Sequence, residues 1–343
     1  MQRGLGLRGH WRAAPRRADH FPAPCAGGSC GVTVPATPPR PSDRRSPDPA
    51  DIATWATSPS SAGISNLFLG GSDHYPADRE VARQLKEVAP WFETAVQINR
   101  AYNDFAVKRL ARELKISQFL DLGCGIPITP SSRQLPETRA SAATAVSGAL
   151  VVAVDIDPLV GAYARMAATG SHSEHTFVQA DLREITTVLE DPAVKALKDR
   201  GPVGVLLHDV LPYITDIEDV RAITGALRSW LPPGSAISVT HATTELQPTQ
   251  AKSAAQILQK ARIPYRPRTH GQIRELLARW QLLQPGLKPT ARHDLSHRHA
   301  LVPRHHSGAH AAIAVHPDRF RTPAPARVMS EPELWATRLR TVT

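Results

Sequence analysis

The chain has 343 residues, 41% of them hydrophobic, and a formal net charge of +10. That is enough apolar material for the core of one large domain or two small ones, and it excludes a wholly disordered chain. The positive charge gathers in residues 1–50 and 291–343 while the middle stays close to neutral, which argues against a nucleic-acid-binding face on the folded unit.

In chain order, residues 1–58 carry proline and arginine clusters such as Pro38-Pro39-Arg40-Pro41 and no sustained apolar period, so a disordered tail is expected there. The basic first residues are followed by no apolar stretch of signal-peptide length, and no segment approaches the roughly 18 apolar residues of a membrane span. Cys25 and Cys30 sit in a Gly/Pro-rich stretch without metal-ligand partners. A soluble, cytoplasmic protein with neither metal nor membrane partner is the expectation.

From residue 59 the pattern changes to alternating helix and strand signals, the requirement of a parallel α/β sheet. Asp78–Val88 and Thr94–Leu114 read as amphipathic helices in the segment 59–115. The core, 116–290, opens with an apolar strand at Gln118–Leu122. Further strands are expected at Leu150–Val154, Thr176–Gln179, Gly204–Leu207 and Ala236–Thr240, the last after the Pro232-Pro233-Gly234 turn. Helices are expected at Leu159–Ala168, Thr249–Ala261 and Gly271–Trp280, and Leu282–Leu287 begins closing hairpin strands. Residues 291–343 hold seven of the fifteen histidines among several prolines. Their spacing, as in His293, His297, His299, His305 and His306, has no helical or finger context, so a second disordered tail is expected.

Three strand ends carry chemistry. The first, Phe119-Leu120-Asp121-Leu122-Gly123-Cys124-Gly125, runs into a glycine-bounded turn that lets a ligand approach the backbone. Asp121, two residues before the first glycine, can offset the ammonium at the methionine end of S-adenosylmethionine (SAM). In the second, Val151–Pro158, Asp155 is placed to accept both hydroxyls of a ribose, and Asp157 to cap the helix begun by Pro158. In the third, Asp181 is placed to accept from an adenine amino group. A dinucleotide fits less well: Ile128 stands where the third glycine of a pyrophosphate loop belongs, and Asp121 would repel phosphates.

With these motifs the chain resembles the class I SAM-dependent methyltransferases, and among them an actinobacterial group called the S-adenosyl methyltransferase family. The resemblance spans about 64–287. Its distinctive part is Leu69-Gly70-Gly71-Ser72-Asp73 through Asp78-Arg79, followed by the Asn99-Arg100 pair. It implies a Rossmann-like, seven-stranded and mostly parallel sheet with one antiparallel strand, helices on both faces, and a helical cover over the cofactor. It extends the SAM-binding set, Asp121, Gly123, Gly125, Asp155 and Asp181, to Gly70, Gly71, Arg100, Cys124, Ile156, Leu182 and His208. Two stretches depart from the family pattern: the Pro-interrupted segment 127–146, and His208-Asp209-Val210-Leu211-Pro212-Tyr213 after the fourth strand.

Methyl transfer from a sulfonium is an in-line displacement, for which alignment and desolvation are the protein's main contributions. Should the acceptor need a base, His208, Asp209, Tyr213 and His241 are the candidates near strand ends. The expected partner is a small-molecule methyl acceptor. The alternatives are a SAM- or nucleoside-binding protein without catalysis, and a nucleic-acid methyltransferase recruited through the basic tails.

Overall fold

The computed structural model describes residues 57–127, 136–168, 175–293, 295 and 302–317. Cys25, Cys30, Pro130, His297 and His299 lie outside them, as do the expected tail segments 1–56 and 318–343.

Three helices come first: α1 (Ser61–Phe68), α2 (Pro76–Val88) and α3 (Phe92–Leu114). Local chemistry fixes where the first two start. The Ser60 hydroxyl accepts from the Gly63 amide at 3.0 Å, an N-cap, and Pro76 occupies the first turn of α2, where its missing N–H costs nothing. The buried Asp78 carboxylate then accepts from the amides of Tyr75 and Ser60, both at 2.8 Å, and so fastens the start of α2 to the start of α1. Asn66 accepts from the Asp73 amide at 2.9 Å. Gly70 has φ 78°, and a side chain on Gly71 would collide with Asn66. The Gly-Gly-x-Asp…Asp motif is thus the staple of the cover.

The sheet is built from β1 (Gln118–Leu122), β2 (Leu150–Asp155), β3 (His175–Gln179), β4 (Val203–His208) and β5 (Ala236–Ala242), parallel and in the spatial order β3-β2-β1-β4-β5. Beyond β5 lies β8 (Ala309–Val315), antiparallel to it over seven residue pairs. The outer position is shared by two short pieces, β6 (Gln281–Leu282) and β7 (Lys288–Pro289), which pair with opposite ends of β8. Seven positions with one reversed strand match the expected architecture.

β8 corrects one expectation. It lies within the stretch expected to be a tail from residue 291, yet every residue from Ala309 to Val315 is buried. Its sequence, Ala-His-Ala-Ala-Ile-Ala-Val, is rich in alanine, which is depleted in strands. A central position between two layers nevertheless needs small residues, because both of its faces are covered.

Seven helices flank the sheet: α4 (Thr138–Ala145), α5 (Pro158–Ala168), α6 (Ile185–Glu190), α7 (Pro192–Asp199), α8 (Ile217–Trp230), α9 (Pro248–Lys260) and α10 (His270–Leu276). Four of them, α4, α6, α7 and α8, go beyond the elements expected from the pattern, α4 within the Pro-interrupted segment 127–146. In α8 the buried Val220, Ile223, Thr224 and Leu227 have the i, i+3, i+4, i+7 spacing of one helix face. Strand alternation sorts the core into two layers. Leu120, Leu122, Val205, Leu207, Ile237 and Val239 pack with α6, α7, α8 and α10, whereas Phe119, Leu206 and Ala236 pack with α3 and α4. A third cluster joins α1 and α2 to α9 through Phe68, Val81, Leu85, Ala254 and Leu258. The cover is therefore anchored beyond β5 while its first turns stay beside the strand ends.

Candidate functional site

A cavity of about 610 Å³ opens at the carboxyl ends of β1, β2, β3 and β4, with α1 and α3 forming its other wall. Open parallel sheets place ligands in this position, where the crossover connections diverge.

The β1 loop is shaped by its two glycines. Gly123 and Gly125 have φ 76° and 68°, and a side chain on Gly123 would also run into Val210. The amides of Gly123 and Cys124 donate to the Val154 carbonyl at 2.8 and 3.2 Å, which draws the loop across the end of β2. There the Asp155 carboxylate accepts from the Gly125 amide at 2.9 Å and the Asp157 amide at 3.0 Å. Burial raises its pKa, and these amides work against that. Asp157 accepts from the Leu159 amide at 2.9 Å and caps α5 as expected. At the end of β3, Asp181 is gripped by the Arg183 guanidinium at 2.8 Å, which holds its carboxyl below the usual range.

Behind the loop runs a chain of hydrogen bonds with a single direction. The Ser238 hydroxyl and His208 Nε2 are 2.9 Å apart, His208 Nδ1 and Asn103 Oδ1 are 2.8 Å apart, Asn103 Nδ2 donates to Thr138 Oγ1 at 3.2 Å, and Thr138 donates to Asp121 Oδ2 at 2.6 Å. An amide oxygen can only accept, so His208 carries its proton on Nδ1 and accepts from Ser238 on Nε2. Burial, with Arg100 nearby, pushes the His208 pKa down to about 3, so the ring stays neutral and both nitrogens are engaged. Asp121 terminates the chain. Burial pushes its carboxyl up to about 6, against the pull of Thr138 and Arg100.

The segment after β4 forms the far end of the cavity. Asp209 takes φ 57°, a left-handed conformation that aspartate tolerates better than most residues, and its amide donates to the Thr240 carbonyl at 3.1 Å. Its Oδ1 is buried without a hydrogen-bond partner, and desolvation pushes the carboxyl up to about 7. Tyr213 follows, its ring 5.2 Å from that of Tyr265; burial holds its phenol well above the ordinary value. This segment is pinned from behind by Arg268, 1% exposed, which donates to the carbonyls of Leu211 at 3.0 Å and Ile214 at 2.8 Å. Arg268 also meets His241 Nε2 at 2.9 Å.

Of the residues expected at the site, Arg100, Asp121, Gly123, Cys124, Gly125, Asp155, Ile156, Asp181, Leu182, His208, Asp209 and Tyr213 line the cavity. Three do not. Gly70 and Gly71 belong to the staple of the cover, and His241, fully buried on β5, serves Arg268. The reason for His241 is strand alternation: His208 and His241 both sit at strand ends, but only His208 faces α3. The sequence reading missed Val96 and Asn103, which line the cavity with Asn99 and Arg100. Their i, i+3, i+4, i+7 spacing on α3 was the signal available, a mixed polar stripe on a helix otherwise buried. Thr138 had no such signal, because its place depends on how the chain returns after the glycine loop.

The donor set suits a nucleoside with a cationic amino-acid end. Asp121 is a buried carboxylate at the glycine turn, Asp155 ends β2, and Ile156, 56% exposed, offers an apolar bed beside it. Comparison with known proteins agrees. A family model described as S-adenosyl methyltransferase matches residues 48–317. The chain is similar to a DUF574 family protein from Streptomyces avermitilis, with 27% identity and a TM-score of 0.70 over 76% of this chain and 99% of the other. It is also similar to a candidate methyltransferase from Thermobifida fusca, with 29% identity and a TM-score of 0.68 over 76% of this chain and 96% of the other. Among curated proteins none matches the chain. On the match over residues 48–317, the chain belongs to the S-adenosyl methyltransferase family and is a SAM-dependent methyltransferase.

Proposed function

We propose that the chain methylates a small molecule that enters the cavity beside the segment after β4, with Asp209 facing the reacting atom. The observation behind this reading is the half-buried Asp209 at the β4 end of the cavity, whose Oδ1 is buried without a partner. An acid with a buried oxygen and no donor costs stability, and such groups gather where chemistry needs them.

Asp121 and Arg100 would hold the amino-acid end of SAM, Asp155 its ribose, and Ile156, Asp181 and Leu182 its adenine. Bound there, SAM supplies an already activated methyl group. The chain's own task is then alignment and exclusion of water. The link from Ser238 through His208, Asn103 and Thr138 fixes the Asp121 carboxylate in one orientation. His208 is therefore a positioning residue and not a base, since both nitrogens are occupied and its pKa is about 3. Tyr213 walls the acceptor side, and Asp209 is the group able to take a proton.

Lining the cavity are seven aspartates and three arginines, a balance that disfavours phosphate-bearing acceptors such as nucleic acids. No helix among the described residues is long and apolar enough to cross a membrane. The test is calorimetry of the full chain with SAM and S-adenosylhomocysteine, followed by transfer of labelled methyl to fractions of a cell extract. Binding lost in Asp155→Ala and label appearing in the small-molecule fraction are expected. Label confined to RNA or DNA would overturn the small-molecule reading, and binding with no transfer to any fraction would favour a protein that senses SAM without using it.

A further inference from the structure

We propose that the methyl acceptor is a protonated amine, held and deprotonated by Asp209. The inference rests on the reading above, that cofactor and acceptor share this cavity. It goes further by naming the acceptor's chemistry.

Each carboxylate at the cofactor end is already answered by the protein. Asp121 accepts from Thr138, Asp155 from two backbone amides, and Asp157 from an amide of α5, while Asp181 is paired with Arg183 at the more open end. Asp209 breaks this pattern: it lines the cavity half-buried, its Oδ1 is buried without a partner, and no side-chain hydrogen bond from the described residues answers its carboxyl, whose accessible side faces the cavity. The backbone holds it in a left-handed conformation rather than letting it turn away. The rings of Tyr213 and Tyr265, 5.2 Å apart, lie near enough to feel its charge, and Ile263 and Pro264 line the same cavity. Arg262, the cation at this end of the cavity, is exposed.

A cavity wall that holds an unanswered carboxyl with one buried oxygen beside two tyrosine rings discriminates by charge. A carboxylate or phosphate acceptor would set like charges together in a desolvated space. A neutral hydroxyl would supply one donor and leave the charge uncompensated. An ammonium supplies several donors and neutralises the acid. The chemistry follows directly. The ammonium gives one proton to the Asp209 carboxylate, and the freed nitrogen lone pair attacks the methyl carbon. An N–C bond forms as the C–S bond breaks, its electron pair passing to sulfur to leave a neutral thioether. The product departs as a methylated ammonium, and Asp209 later releases its proton to water. A carboxyl whose pKa is about 7 is suited to taking that proton near neutral pH.

The test uses three probes of one shape and different charge, benzylamine, benzyl alcohol and benzoate, titrated by calorimetry into the full chain saturated with S-adenosylhomocysteine. Benzylamine is expected to bind at least about ten-fold more tightly than benzyl alcohol, with benzoate weakest. In Asp209→Asn that preference should vanish while S-adenosylhomocysteine still binds. Equal or tighter binding of the alcohol or the benzoate to the unaltered protein would overturn the proposal. So would retention of the amine preference in the variant, or no benzylamine binding at millimolar concentration. The ranking on the unaltered protein decides the matter even where the variant fails to fold. Failure to bind S-adenosylhomocysteine at all would instead sink the shared-cavity reading.

Discussion

Asp209→Asn removes a charge and keeps a shape, so its effect on stability should depend on pH in a way the structure fixes in advance. In the folded chain the Asp209 carboxyl titrates at about 7 instead of 3.8, because burial disfavours the charge and no donor compensates it. The folded state holds this proton more tightly than the unfolded chain does. The neutral acid's contribution is therefore fully present below the unfolded pKa and is lost as pH rises through the folded one. The full interval corresponds to about 4 kcal/mol, reduced to about 2 kcal/mol where water in the cavity reaches the carboxyl. Asparagine carries no such penalty. The stability of the variant relative to the parent should accordingly grow between about pH 4 and pH 7 and then stay level. Urea melts of both proteins near pH 4, 6 and 8 measure the difference, and Asp121, Asp155 and the histidines cancel because both proteins share them. Parallel stability profiles would show that Asp209 is solvated or paired in solution and would refute the reasoning.

Arg268→Met removes the donor to the carbonyls of Leu211, Ile214, Thr215 and Asp216 and to His241, and even after relief of a buried charge it should cost about 2–4 kcal/mol in a denaturant melt. It should also raise the acceptor KM more than it lowers kcat, since Leu211–Ile214 loses its anchor. The imidazole of His208 should show no protonation by NMR between about pH 5 and 8, and His208→Phe should weaken S-adenosylhomocysteine binding by about ten-fold; a ring that titrates near its ordinary value would contradict the directed chain. A chain ending at residue 290 loses β8, with its seven buried residues, and should be recovered only as aggregate; a soluble, cooperatively melting product would show that the sheet closes without it.

The parts of this fold legible in the sequence are those set by neighbours along the chain. An apolar run ending in Asp121-Leu122-Gly123 states its own strand and turn, because positive φ at Gly123 and Gly125 is a local requirement. Asp155 and Asp181 follow from strands of the same kind, and Asp157 from the proline after it. The Gly70-Gly71 motif was legible as a motif but not as a role. Only the packing of Asn66 against Gly71, and Asp78 across the starts of two helices, shows that it builds the cover and does not line the cavity.

What tertiary structure decided is everything that depends on which distant groups meet. Alanine-rich residues 309–315, set between histidines and prolines, carry no strand signal of their own; they form β8 because a gap two layers thick exists beside β5. His208 and His241 look alike in sequence, and only their opposite facings make one a link toward Asp121 and the other a partner of Arg268. Thr138 reaches Asp121 from 17 positions away, and Asn103 meets His208 across 105. Asp209 is distinguished by a missing partner, and an absence of contacts is visible only once every neighbour has been placed. Sequence fixes dihedral preference and apolar period, which are properties of a few consecutive residues; burial, pKa and proton direction are properties of a packed volume.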